Sequence, residues 1–145
     1  MMATAHLVGH QLDPTADFSG PVIGMCAAIE HLLHAVVISP VVGNDRDKQR
    51  QTRTLGAAID SINQACQGGY GYLPTAMRNH LQQLQIDLQQ IEKLVPTWRR
   101  LNRSFRVPAT HRKVLTKPDW QQLYRMVMGT ETLFTRTYDA LHPVV

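Results

Sequence analysis

Apolar residues recur along this chain at three- and four-residue steps, with no strand-like alternation and no internal repeat. The spacing predicts a first helix from Asp17 or Ser19, either a suitable N-cap, with Pro21 tolerated in its opening turn. Val22, Met25, Cys26, Ile29, Leu32, Leu33 and Val36 form its apolar stripe, and Pro40 is expected to stop it. Gly43 to Thr52 is polar and reads as a solvated loop. A shorter helix follows from about Thr54, with Leu55, Ala58, Ile59, Ile62 and Ala65 on one side and its end near Gly68. A third starts at Pro74 and places Met77, Leu81, Leu84, Leu88, Ile91 and Val95 on a heptad seam. Such a seam suits packing inside a four-helix bundle or across a dimer interface. Pro96 is expected to open a further turn with Trp98, Leu101 and Phe105. Pro118 is expected to open a last helix with Trp120, Leu123, Val127, Phe134, Tyr138 and Leu141. Residues 1–16 show no period and are expected to be irregular, with 17–145 forming a single domain. The predicted class is all-α, a small antiparallel bundle of four to five helices.

A length of 145 residues with 43% apolar content suits one ordinary core. No apolar run reaches the roughly 18 residues needed to span a bilayer, so no membrane association is expected. Met1 to Gln11 lacks a basic region followed by an apolar one, so no signal peptide is expected and the predicted location is cytoplasmic. The two cysteines, Cys26 and Cys66, fall on apolar helix stripes and read as buried free thiols. Gly68-Gly69-Tyr70-Gly71 lacks the Lys-Ser/Thr of a phosphate-binding loop and reads as an interhelical connection.

Charge changes the picture more. The formal net charge is only +4, yet Arg99 to Lys117 holds seven of the 15 Lys and Arg and no Asp or Glu. The rest of the chain has eight basic against 11 acidic residues. A cationic segment on a slightly acidic body points to a polyanionic partner. Arg99, Arg100, Arg103, Arg112, Lys113 and Lys117 are its candidate nucleic-acid contacts, and Arg106 with His111 its candidate chemical pair. On an unbroken helix Arg106 and His111 would lie about 140° apart. Pro108 is expected to break the helix after Arg106 and start a new one. The free N–H groups near Ala109 and Thr110 would then face a phosphate held by Arg103 and Arg106, with His111 one turn further in.

Arg106-Val107-Pro108-Ala109-Thr110-His111 resembles the Arg-Asn-Pro-Ala-Ala-His form of the Arg-x4–6-His signature of HEPN (higher eukaryotes and prokaryotes nucleotide-binding) domains. Asp17-Phe18-Ser19, Val22-Ile23-Gly24 and Ala28-Ile29-Glu30-His31-Leu32 are similar to the opening helix of one bacterial HEPN-like group. Thr54-Leu55-Gly56 resembles the start of its second helix. The resemblance implies a metal-independent endoribonuclease, with no cofactor, in which two protomers join their Arg and His pairs in one cleft. There the ribose 2′-OH attacks the neighbouring phosphate, leaving 2′,3′-cyclic phosphate and 5′-hydroxyl ends. Arg106 and His111 are the catalytic residues so implied, in a bacterial defence, toxin–antitoxin or stress setting. The implied partners are RNA, a second copy of the chain, and a protein partner or antitoxin. Val107 stands where the family often has a polar residue, commonly Asn. Arg136 and His142 also satisfy the bare spacing. A catalytically silent adaptor or nucleic-acid-binding subunit of a larger complex is the alternative.

Simpler readings compete elsewhere. Glu30-His31-x-x-His34 sets two imidazoles on one side of a helix but has no third ligand at a telling spacing, so no metal site is expected. Trp98, Phe105, Trp120 and Tyr124 interleave with the cations, and their helical spacing favours core packing over base stacking. Arg46 to Arg53 is mixed with Asp45 and Asp47 and reads as part of the solvated loop.

Overall fold

A computed structural model describes residues 17–111, 114–129 and 132–144. Among them every regular element is a helix. Helix α1 runs Ser19–Leu33, widens into a π turn at His34–Ile38 and ends as Ser39–Val42. There follow α2 (Arg46–Gln51), α3 (Leu55–Cys66) and α4 (Tyr72–Gln83). Helix α5 runs Leu88–Leu101, passes a second π turn at Asn102–Arg106 and ends as Val107–Thr110. Helices α6 (Lys117–Met128) and α7 (Leu133–Leu141) complete the chain. The all-α class is as predicted, with more helices than the four to five expected. The chain gathers into two compact units, one from the described parts of 1–29 and 100–136, the other from 30–99 and 137–145.

The proline expectations fail for one physical reason. Proline has no N–H for the carbonyl four residues earlier, and its ring crowds that carbonyl. A turn widened to five-residue hydrogen bonding relieves both problems without breaking the helix. Thus the Ser39 N–H bonds the His34 carbonyl just before Pro40, and the Val107 N–H bonds the Asn102 carbonyl just before Pro108. Pro96 likewise sits inside α5 instead of opening a new turn. Because Pro40 does not stop α1, Ser19–Val42 is a 24-residue helix long and apolar enough to cross a membrane by length and composition. That overturns the expectation of no such stretch. Its Val22, Met25, Cys26, Ile29, Leu33 and Val37 side chains are nevertheless fully buried within the protein.

Caps explain the other boundaries. Asp45 accepts the Asp47 and Lys48 N–H groups, which turns the expected loop into the short helix α2. Thr54 caps α3 through the Ala57 N–H, and Thr116 with Asp119 forms a capping box on α6. The predicted seam from Met77 to Val95 is interrupted. Asp87 accepts the Gln89 N–H at 2.9 Å and starts α5 afresh. Ile86 is buried where Leu84, 39% exposed, was expected to be. The last predicted helix is divided into α6 and α7 after Gly129, where an added Cβ would lie 2.8 Å from the Arg125 carbonyl oxygen.

In the second unit α3 and α4 pack as a hairpin, and both contact the π turn of α1. Side chains of α4 satisfy two carbonyls there. Arg78 donates to the Ala65 carbonyl at 3.2 Å. His80 Nε2 lies 2.8 Å from the Val36 carbonyl, the group Pro40 leaves without its usual helical donor. A carbonyl only accepts, so this ring nitrogen must hold a hydrogen. Trp98 and Thr137 are both fully buried, and the indole N–H donates to the Thr137 hydroxyl at 3.0 Å. Cys26 is fully buried, as expected, and Cys66 is half-buried; neither is in a disulfide. Burial and the neighbouring Glu92 carboxylate push the Cys66 thiol up to about 11, away from thiolate chemistry.

Two predictions follow from these contacts. Helices α3 and α4 end in the same Schellman motif, with Gly68 in the left-handed position of one and Gln85, at φ 59°, in that of the other. Relieving the side-chain strain at that position outweighs the added freedom of glycine in the unfolded chain. Gln85→Gly is therefore expected to stabilise the protein by about 0.5 kcal/mol, read from chemical denaturation. Thr137→Val removes the hydroxyl that accepts the Trp98 N–H while keeping shape, and should cost about 1–3 kcal/mol in the same assay. Thr137→Ser should restore most of it.

Candidate nucleic-acid interface

The cationic segment is built on α5 and the stretch after it. In an ideal α-helix each four-residue step overshoots a turn by about 40°. Leu101, Phe105 and Ala109 would then drift off the core, yet all three are buried. The π turn at Asn102–Arg106 takes up the drift and keeps them on one side. The other side presents Arg100, Arg103, Val107 and Thr110 to solvent. Neither Arg100 nor Arg103 has an ion pair or side-chain hydrogen bond among the described residues. The Thr110 hydroxyl turns back to the Arg106 and Val107 carbonyls, at 3.0 Å each.

The predicted residues separate into groups. Arg100, Arg103 and His111 are exposed; Arg106 and Lys117 are half-buried. Arg99 belongs to the other unit and is paired with Asp60 at 3.2 Å. Arg112 and Lys113 lie outside the described residues. Arg106 and Val107 are both helical, so Pro108 starts no new helix and creates no new N-terminus. The predicted phosphate cradle of free N–H groups at Ala109 and Thr110 is therefore not formed. His111 is the C-cap of the same continuous helix, and its N–H bonds the Val107 carbonyl. By the helical repeat Arg106 and His111 leave the axis about 140° apart.

Leu115 is held by the residues at the start of α1. The Phe18 N–H donates to the Leu115 carbonyl at 2.9 Å, and the Leu115 N–H to Asp17 Oδ1 at 3.2 Å. The same carboxylate oxygen accepts the Ser19 N–H and hydroxyl, at 3.0 and 2.7 Å. The Ser19 hydroxyl, then the Ser19 and Leu115 N–H groups, hold the Asp17 carboxyl below its ordinary value. Trp98, Phe105 and Trp120 are core residues, and Tyr124 stacks on Trp120 with ring centres 5.3 Å apart. None of the three buried rings is a free platform for a base. Among the described residues no group of three or more His, Cys, Asp or Glu is placed to hold a metal ion.

One cationic surface escaped the reading of the sequence. Arg46, Gln49, Arg50 and Arg53 line an open cavity beside α2. Their i, i+3, i+4, i+7 spacing behind the capping residue Asp45 was the available signal. Compared with family models, curated proteins and solved structures, the chain matches none. The family resemblance therefore rests on its motif residues.

The Asp17 contact has a pH signature. Because its pKa is lowered on folding, its contribution is present above the unfolded value of about 3.9 and is lost as pH falls through the folded value. The stability difference between wild type and Asp17→Ala should be constant from neutral pH to about pH 5 and shrink towards pH 3. Denaturation at stepped pH reads it. The effect is expected to be small, since the carboxylate is open to water.

Proposed function

We propose that this chain is a HEPN-like RNA-binding protein that grips the phosphate backbone through Arg100, Arg103, Arg112, Lys113 and Lys117. The observation supporting it most directly is the solvent-facing side of α5, where Arg100 and Arg103 stand with no acidic partner among the described residues. Guanidinium groups left unpaired beside a carboxylate-free segment attract phosphates and release counterions on binding. The proposed setting is a cytoplasmic bacterial defence, toxin–antitoxin or stress system, with the chain as a homodimer or as a subunit of a larger assembly.

Binding without cleavage is the reading favoured here. The helix is continuous through Pro108, so by the helical repeat Arg106 and His111 leave it about 140° apart, and Val107 replaces the polar residue that often follows the family's arginine. A ribonuclease would need a second copy to bring another Arg and His pair into the same cleft.

Five phosphate contacts on single-stranded RNA imply a slope of log affinity against log salt of about −3.5. Arg100→Gln with Arg103→Gln should make that slope shallower by about 1.4, leaving stability within about 0.5 kcal/mol of wild type. In EDTA, wild type is expected to leave RNA intact, and His111→Ala to bind it equally well. Wild-type cleavage leaving 2′,3′-cyclic phosphate ends, lost in His111→Ala, would replace this reading with the ribonuclease.

A further inference from the structure

We infer that the solvent side of α2, in the second unit, is a docking surface for an acidic segment of a protein partner, separate from the α5 interface. Helix α2 is short but fixed in place. By the helical repeat Lys48 leaves it on the side opposite Arg46 and Arg50. Lys48 is half-buried there, with its ammonium 3.7 Å from the centre of the Tyr72 ring. Thr52, just past the helix, is buried and donates its hydroxyl to the Lys48 carbonyl at 2.9 Å. With that side held, Arg46, Gln49, Arg50 and Arg53 are exposed and line an open cavity of about 500 Å³. Gln49 is fixed by donating its amide hydrogen to the Gly43 carbonyl at 2.7 Å. The wall thus carries three guanidiniums and one amide, and no carboxylate.

The carboxylates nearest in sequence are already occupied. Asp45 accepts the Asp47 and Lys48 N–H groups at 3.0 and 3.2 Å and pairs with the Lys48 ammonium at 3.6 Å. Asp47 holds Arg50 at 2.7 Å. Arg46 and Arg53 are left with no ion pair or side-chain hydrogen bond among the described residues. Their forked donors match a carboxylate or a phosphate equally well in shape. The surrounding charge favours the carboxylate. By sequence the second unit has seven Lys and Arg against seven Asp and Glu, whereas the first has eight against four. A neutral body exerts no long-range pull on a polyanion. The exposed Asp47 carboxylate beside Arg50 would also repel a close row of phosphates. A protein segment places neutral residues between its carboxylates, so it can pair with Arg46 and Arg53 and keep clear of Asp47. Arginines gathered on a concave wall are also what protein interfaces favour, because a partner's side chains enter and exclude water there.

The test titrates the full chain into three labelled probes, read by fluorescence anisotropy. They are a capped synthetic peptide of Glu and Ala, its Gln and Ala counterpart, and a single-stranded oligoribonucleotide of the same net charge as the first. The Glu peptide should bind at least about tenfold more tightly than the Gln peptide. Arg46→Gln with Arg53→Gln should weaken the Glu peptide at least about tenfold and leave the oligoribonucleotide within about twofold. Both replaced side chains are exposed, so folding should be retained. Arg46→Lys with Arg53→Lys keeps the charge but loses the fork, and should give a loss between wild type and the Gln pair. Arg100→Gln with Arg103→Gln should do the converse of the Gln pair, weakening the oligoribonucleotide and sparing the peptide. The proposal falls if the Gln peptide binds as tightly as the Glu peptide, or if the Glu peptide ignores Arg46 and Arg53. It falls too if the α5 pair weakens the peptide as much, since the attraction would then be general. An oligoribonucleotide that loses as much as the peptide through Arg46 and Arg53 would make α2 an RNA contact instead. Because RNA is read beside the peptide in every variant, this inference and the α5 reading can fail independently.

Discussion

Two prolines inside helices, each unable to donate to the carbonyl four residues back, set the terms for the rest of this structure. At Pro40 and Pro108 the helix widens by one hydrogen-bonding step and continues. Each π turn ends immediately before an X-Pro pair, Ser39-Pro40 in one case and Val107-Pro108 in the other. In α1 the freed Val36 carbonyl meets the His80 ring, which ties α4 to the helix at the point of strain. In α5 the extra residue resets the helical phase so that Leu101, Phe105 and Ala109 stay in the core. The cost of a missing donor is thereby converted into a packing contact or a corrected register, and neither helix breaks.

The phase of α5 determines what its cations can do. With the apolar side held inward, Arg100 and Arg103 have to face solvent. Arg99, one residue earlier, is paired with Asp60. Arg106 and His111 remain on the turns that the helical repeat assigns them, apart from one another. A helix that ended at Pro108 would have offered backbone donors to an anion. A helix that continues offers side-chain charge alone.

Capping chemistry determined where the smaller elements begin. Asp45 spends its carboxylate on two backbone donors, and that is enough to order six residues whose composition resembles a loop. Once α2 exists, its arginines acquire a common face and a cavity. Asp87 acts in the same way against a strong heptad pattern, because a cap and the buried Ile86 together outweigh one continued seam. The left-handed Gln85 shows that this turn is imposed by packing, since the local sequence has no glycine to favour it.

The sequence by itself determined the all-α class, the start of α1 near Ser19, helix α3 with its Thr54 cap, and most core positions. Those features depend on apolar spacing and on caps within four residues, interactions that are local in the chain. It also determined that Arg99 to Lys117 is cationic, because charge follows from composition. The tertiary structure decided whether a proline would end a helix or be absorbed, since that depends on distant groups such as His80 and on the core that holds the phase. It decided which arginine would be paired, because Asp60 lies 39 residues from Arg99. It also decided that the backbone from Arg106 runs on through Pro108, where the sequence allowed either a broken or a continuous helix.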